Sequence, residues 1–198
     1  SAATLHDFKL FKDIDKASEL LVNALNAQSR ILIVGDFDAD GATSTATLMQ
    51  GLEMFGFKYL DYLIPDRFSL GYGLSPALAE QIVQINPELV ITVDNGISCI
   101  AGIDILKAAG IKVLVTDHHL QGEQLPNADA IVNPNRHECN FPSKSIAGVG
   151  VAFYLLIALR SVMREQGYFE RQPPPNLANL LDIVALGTVA DVVALDAN

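Results

Sequence analysis

Cysteine is scarce in this chain: two residues, Cys99 and Cys139, among 198. They form no C-x-x-C pair, which excludes a disulfide framework and a zinc ribbon and points to a reducing, cytoplasmic setting. Positive charge is also in short supply. Thirteen Lys and Arg stand against 23 Asp and Glu, a formal net charge of −10, so no general basic face for duplex DNA is expected. A phosphate-bearing substrate stays compatible, because bound cations reverse the local sign at a carboxylate-lined site. Long apolar runs are missing as well. The longest, residues 146–159, falls short of the roughly 20 residues that cross a bilayer and reads as a buried core helix. The first residues carry no signal-peptide pattern, so no leader is expected. Internal repeats and low-complexity blocks are absent.

What is present is ordinary for a globular domain with a proper core: 50% apolar and 18% charged residues. Short β-branched runs alternate with helically spaced segments. Strands are predicted over 31–34, 59–64, 89–93, 112–116 and 130–132. Helices are predicted over 15–26, 42–55, 76–85, 100–109, 149–165 and 177–186. That alternation implies an α/β fold, a mostly parallel sheet of about five strands flanked by helices. Gly56 and Gly110 fall at helix ends just before new strands, as C-cap glycines do. Three consecutive prolines, Pro173 to Pro175, mark a loop between the last two helices.

The most informative stretch is Asp36-Phe-Asp-Ala-Asp-Gly41, which follows an apolar strand. Three carboxylates so close together raise one another's pKa unless a cation neutralises them. An EF-hand is excluded, because the twelfth position, Thr47, is not a bidentate Glu and a strand, not a helix, precedes the loop. Two further strands end in Asp94-Asn-Gly96 and in Asp117-His118-His119. In an open parallel sheet, ligands bind beyond the carboxyl ends of the strands. Three strands delivering Asp, Asp and Asp-His-His to one edge would build a single site. A lone strand-end Asp is ordinarily a cap or turn former, but caps explain neither the tripled Asp nor the doubled His. Carboxylates with imidazole and no thiolate suit Mn²⁺, Mg²⁺ or Fe²⁺ better than structural zinc. So many carboxylates favour two ions bridged by one Asp, an arrangement suited to in-line phosphoryl chemistry.

Four motifs in order, Asp36 to Gly41, Val93-Asp-Asn-Gly96, Asp117-His118-His119 and Gly187-Thr-Val-Ala-Asp191, resemble those of the DHH phosphoesterases. Ile64-Pro-Asp-Arg-Phe-Ser-Leu-Gly-Tyr-Gly-Leu-Ser75 and Ser145-Ile-Ala-Gly-Val-Gly-Val-Ala152 resemble that family's bacterial single-strand exonuclease branch. The resemblance implies that Asp38 and Asp94 hold one metal, with Asp36 in support. It implies that Asp40, Asp94, His118 and Asp191 hold the other, so that Asp94 bridges. By the same resemblance His119 contacts the scissile phosphate or assists the leaving group, and Asp117 orients a histidine. Many members carry a histidine four residues before the position of Asp38, where this chain has Val34. The implied activity is a Mn²⁺- or Mg²⁺-dependent 5′→3′ exonuclease on single-stranded DNA, serving repair and recombination. The implied partners are single-stranded DNA, a single-strand-binding protein and a helicase, with the chain itself a monomer. The alternatives are a DHH enzyme acting on oligoribonucleotides, cyclic dinucleotides or pyrophosphate, and a non-catalytic metal- or nucleotide-binding module. Residues 1–198 are expected to be one catalytic domain, an excerpt lacking the DHHA1-type and OB-type domains of longer relatives and therefore weakly active on DNA.

Other residues carry weaker signals. Arg67, Phe68 and Tyr72 fit a single-strand groove, through phosphate contact and stacking, as well as they fit an ordinary surface loop. Gly148 and Gly150 sit in a turn that can offer amides to a phosphate, although close helix packing by small residues is the stronger reading. His137 and Cys139 are two donors, too few for a metal site.

Overall fold

The structure, a computed structural model, describes residues 5–66 and 71–196. Five aliphatic segments pair into one sheet: β1 (Ile31–Val34), β2 (Leu60–Leu63), β3 (Leu89–Val93), β4 (Lys112–Thr116) and β5 (Ala130–Val132). Their order is β2-β1-β3-β4-β5, and every neighbouring pair is parallel. Parallel sheets are covered on both faces, so their central strands are buried at every position, as β1 and β3 are here. Alternate side chains point to opposite faces. Ile31 and Ile33 join one core with Leu21, Leu48 and Leu155, whereas Leu32 and Val34 join a second with Leu78, Ile82 and Ile103. Each such fully buried aliphatic side chain contributes roughly 1.5–3 kcal/mol.

The first core lies under α1 (Ile14–Ala27), α2 (Ala39–Met54), α5 (Gly148–Glu165) and α6 (Leu181–Ala190). The second lies under α3 (Pro76–Ile85) and α4 (Ile100–Ala108). Right-handed crossovers explain the division: the chain runs from β1 outward to β2, then reverses across β1 to β3, and the reversal moves the connecting helix to the opposite face. The reversal also makes β1 and β3 neighbours, the point in such a sheet where ligand crevices form.

The expected elements are all found, with two shifts. Helix α2 begins at Ala39, before the expected position 42, because Asp38 is its N-cap and accepts a hydrogen bond from the Gly41 amide. The segment expected as a helix over 177–186 is divided. Residues Leu177–Leu180 form a 3₁₀ turn, and α6 continues to Ala190. Gly56 and Gly110 take positive φ after α2 and α4. In each case the following residue, Phe57 or Ile111, donates its amide back to the helix, to Leu52 or Leu106, closing a Schellman motif. The long apolar run is the buried α5, and among the described residues no helix is long and apolar enough to cross a membrane. Before α1, Phe11 stacks on Phe141 at 3.8 Å and His6 meets that ring edge-on at 5.7 Å.

Candidate metal centre

The carboxyl ends of β1, β3 and β4 and the end of α6 converge on one place. Asp36 follows β1 and is buried. Asp38 caps α2, and Asp40 lies buried in its first turn. Asp94 follows β3 with a left-handed backbone, φ 59°, a conformation that Asp tolerates better than most residues. His118 and His119 follow β4. Asp191 is the C-cap of α6. Helix α6 reaches the site because Gly187 lies flat against its neighbours: a Cβ there would stand 2.2 Å from Thr43 Oγ1 and 2.8 Å from Val149 Cγ1.

Three sets of donor atoms, each set within 4.8 Å, overlap in this space: Asp36, Asp38 and Asp94; Asp40, His118 and Asp191; Asp94, His118 and His119. His118 Nε2 stands 3.0 Å from Asp94 Oδ1, 3.6 Å from Asp40 Oδ2 and 3.9 Å from Asp191 Oδ2. Burial pushes Asp94 up to about 8, against the pull of His118 beside it. Burial alone would lower His118, but the carboxylates of Asp94, Asp40 and Asp191 overcome it and raise the imidazole to about 9. Asp36 and Asp191 are raised too, chiefly by desolvation and then by a neighbouring carboxylate, Asp38 in one case and Asp40 in the other.

A divalent cation fits this donor set on two grounds. Asp191 Oδ2 is buried without a hydrogen-bond partner among the described residues, Asp94 Oδ1 has only His118 Nε2 near it, at 3.0 Å, and an orphaned buried carboxylate oxygen is costly. The donors are oxygen-rich with imidazole and no thiolate, which suits Mn²⁺ or Mg²⁺. Val34 is buried in the second core, so the set nearest β1 is carboxylate only.

Asp40 also ties the site to α5. That helix begins at Gly148 behind Ala147, whose side chain makes no cap. The Asp40 carboxylate supplies the cap from α2, accepting the Gly148 amide at 2.6 Å and the Val149 amide at 2.8 Å. Of the two readings of the 148–150 turn, close packing by small residues fits this geometry and free amides for a phosphate do not. The Gly148 amide is taken by Asp40, and the Gly150 amide donates to Ala147. Gly148 is small for a different reason: a Cβ would lie 2.8 Å from Asp94 and 2.9 Å from Asp40.

Asp117 holds His119, not His118. Its Oδ1 lies 2.6 Å from His119 Nδ1 and also accepts the His118 and His119 amides, while Oδ2 accepts the Ile97 amide. Burial opposes the charge on Asp117, but these bonds hold its pKa below the ordinary value. The same pairing raises His119. Tyr72 sits at the rim, its ring edge-on to His119 at 6.3 Å and its hydroxyl 3.5 Å from the Asp94 carbonyl. Beside this pair opens a cavity of about 650 Å³, lined by Tyr72, Leu74, Ile97, Cys99 and His119 among others. Arg67 and Phe68 lie outside the described residues. His137 contacts Gln121, while Cys139 is buried against Lys12 and Leu10, so they build no metal site.

Sequence reasoning passed over Asn95. Its carboxamide donates to the Val34 and Val93 carbonyls and so fastens β1 to β3 where their two Asp-bearing turns diverge. The available signal was its place directly after a strand-end Asp.

The family described as "DHH family, N-terminal domain" matches residues 30–188. The single-stranded-DNA-specific exonuclease RecJ of Salmonella typhimurium is 58% identical over 187 residues, 93% of this chain and 32% of that protein. A crystal structure of exonuclease RecJ bound to manganese superposes with a TM-score of 0.79 at 37% identity, covering 92% of this chain and 44% of that one. RecJ from Thermus thermophilus was solved with Mn²⁺ and with Mg²⁺. The Mn²⁺ complex has a TM-score of 0.73 at 34% identity over 92% of this chain and 24% of that one. The Mg²⁺ complex gives 0.57 at 31%, over 92% and 20%. The chain spans about a third of the length of the curated relatives it matches.

Proposed function

The chain belongs to the DHH family, and from that premise we propose that it is the catalytic core of a metal-dependent phosphodiesterase that removes nucleotides from the 5′ end of single-stranded DNA. The observation that carries the proposal is the overlap of three donor sets on Asp94 and His118 at the carboxyl end of a parallel sheet. Two Mn²⁺ or Mg²⁺ ions are its cofactors. One would be held by Asp36, Asp38 and Asp94, the other by Asp40, Asp94, His118 and Asp191. When bound, such a pair supplies an activated water near neutral pH and neutralises the charge of the reacting phosphate.

The chain's own groups do the rest. Asp40, tied to α5, and Asp94, in its left-handed turn, hold their carboxylates rigid, so little reorganisation is needed on loading. Asp117 accepts from His119 Nδ1 and favours the imidazolium form of that ring, whose Nε2–H can then donate its proton to a phosphate oxygen or to the departing 3′ oxygen. The cavity beside Tyr72 and His119 has the size of a small-ligand site and accommodates the terminal nucleotide, with Tyr72, Arg67 and Phe68 contacting the strand. The enzyme works in the cytoplasm as a monomer, in repair and recombination, with a single-strand-binding protein and a helicase as partners.

The test is digestion of 5′- and 3′-labelled single-stranded DNA in Mn²⁺ and in EDTA. Metal-dependent release of 5′ mononucleotides is expected. Turnover of short RNA, cyclic dinucleotides or pyrophosphate in preference to DNA would move the substrate to the small-molecule members of the family. A metal-induced rise in melting temperature with no turnover of any of these would reduce the chain to a binding module.

A further inference from the structure

The two histidines lie in a loop, and all four of their backbone polar groups are held by side chains. On the amide side there is no discrimination, since Asp117 Oδ1 takes both N–H groups, at 2.8 Å from His118 and 3.2 Å from His119. The carbonyl side is divided. The last ladder bond between β4 and β5 runs from the Asp117 amide to the Val132 carbonyl, and beyond it two carboxamides continue the pairing. Asn133 Nδ2 donates to the His119 carbonyl at 2.9 Å. Asn135 Nδ2 donates to the His118 carbonyl and, at 3.0 Å, to that of Lys144. The Asn135 amide in turn donates to Asn133 Oδ1, across Pro134 with its fixed φ. Lys144 Nζ clamps the segment by donating to the Pro134 and Cys139 carbonyls. Asn133 is fully buried, so its bond is shielded from competing water.

We propose that Asn133 and Asn135 are positioning residues with unequal tasks: Asn135 fixes the peptide that joins the two histidines and so orients the metal-facing His118, and Asn133 fixes the peptide that follows His119 and so bears on the proton-donating ring alone. His118 is flanked by the 117–118 peptide, held by Asp117, and by the 118–119 peptide, held by Asn135 and Asp117; the 119–120 peptide is held by Asn133, and the two planes that flank a residue set the direction of its Cα–Cβ bond. The assignment rests on the two-metal reading above. It goes beyond that reading by separating the support of ion binding from the support of proton transfer within one short turn of chain. Partners that orient metal-bound histidines typically change metal affinity or activity about 10–100-fold when removed.

The experiment titrates Mn²⁺ into the protein and its Asn133→Ala and Asn135→Ala variants, following free Mn²⁺ by electron paramagnetic resonance. Metal-free melting temperature and the kcat and KM for single-stranded DNA are measured beside it. Asn135→Ala is expected to weaken one of the two binding steps about tenfold or more and to spare the other. Asn133→Ala is expected to leave both steps intact and to lower kcat about 10–100-fold with KM little changed. Should an Ala variant fail to fold, Asn→Leu at that position keeps the volume and removes the donor without adding charge, and the same split is expected. Equal effects of the two variants on both binding steps, or a lower melting temperature with binding and kcat unchanged, would overturn the assignment alone. A wild-type protein that binds no Mn²⁺ would overturn the two-metal reading and this assignment with it.

Discussion

Asp40 caps a helix that begins 108 residues after it, accepting the Gly148 and Val149 amides at 2.6 and 2.8 Å while one of its oxygens lies 3.6 Å from His118 Nε2. One carboxylate thus serves both the packing of α5 on α2 and the charge balance of the centre. Asp40→Ala should therefore weaken the metal-free fold as well as metal binding. Loss of an N-cap costs about 0.5–2 kcal/mol, and thermal unfolding in EDTA measures it. A metal-free melting temperature equal to wild type would mean that the cap contributes nothing.

Asp191 should behave in the opposite way. Its carboxylate stands at the C-terminal end of α6, where the helix dipole disfavours negative charge by about 0.3–1 kcal/mol, and Oδ2 has no hydrogen-bond partner among the described residues, with His118 Nε2 no nearer than 3.9 Å. Asp191→Ala is expected to raise the melting temperature in EDTA while weakening Mn²⁺ binding. A variant that loses stability in EDTA would contradict this account of the residue.

The metal-free protein should lose stability as pH rises. The folded-state pKa values of Asp94, about 8, and His118, about 9, lie above their unfolded values of 3.8 and 6.5. The native state therefore binds more protons than the unfolded one, and its stability falls as pH rises from 3.8 to about 9, most steeply between 6.5 and about 8 where both groups contribute. Asp117 has the reverse shift, and its contribution is lost only on acidification below 3.8. Melting in EDTA should drop across pH 6.5–9, and saturating Mn²⁺ should flatten the drop. A melting temperature that climbs over this range in EDTA would refute the titration scheme.

Gly148→Ala tests the close approach of α5 to the centre. The added methyl meets Asp94 Cβ at 2.8 Å and Asp40 Oδ2 at 2.9 Å, so a ligand carboxylate or the helix must move. Overpacking of this kind costs about 1–3 kcal/mol, and Mn²⁺ affinity should fall with it. Calorimetric titration of Mn²⁺ showing wild-type affinity would argue that α5 yields freely.

Asp117→Asn removes the charge that favours the His119 imidazolium while keeping its volume. Because general acid–base assistance is typically worth about 10²–10⁴-fold, kcat should fall by that order with Mn²⁺ binding nearly unchanged. A comparable loss of Mn²⁺ affinity would assign His119 to an ion instead.

The sheet was legible because its central strands carry β-branched and aliphatic residues at consecutive positions, a pattern that double-sided burial requires; edge strand β2, with Asp61 and no buried position, carries it least. Helix bounds were legible wherever a local signal existed, as at Ser75-Pro76, where Ser75 caps α3 and Pro76 opens it. They failed where the chain used one residue twice. Asp38 looked like part of a cation loop, so its role as the cap of α2 was hidden and the helix start was set too late. The cap of α5 was illegible for a stronger reason, since its acceptor comes from another helix. The trace it left is negative: a long helix starting behind Ala147 with no local capping side chain. Strand-end Asp94, His118 and His119 could be grouped from sequence because strand ends share an edge. Asp191 could not, because its place follows from how Gly187 seats α6 on Thr43, and only a resemblance pointed to it. Asn133 and Asn135 gave no chemical signal, since they act on main-chain carbonyls.

The order of the donors along the chain has a consequence for biosynthesis. Asp36, Asp38 and Asp40 leave the ribosome first, and Asp191 leaves long afterwards, once every strand has been made. Under the proposed assignment, a nascent or misfolded chain holds only fragments of the donor set and no intact centre. On that proposal, cutting power is acquired only after Asp191 has joined the fold and is lost as soon as the donors part, a built-in interlock on the proposed activity.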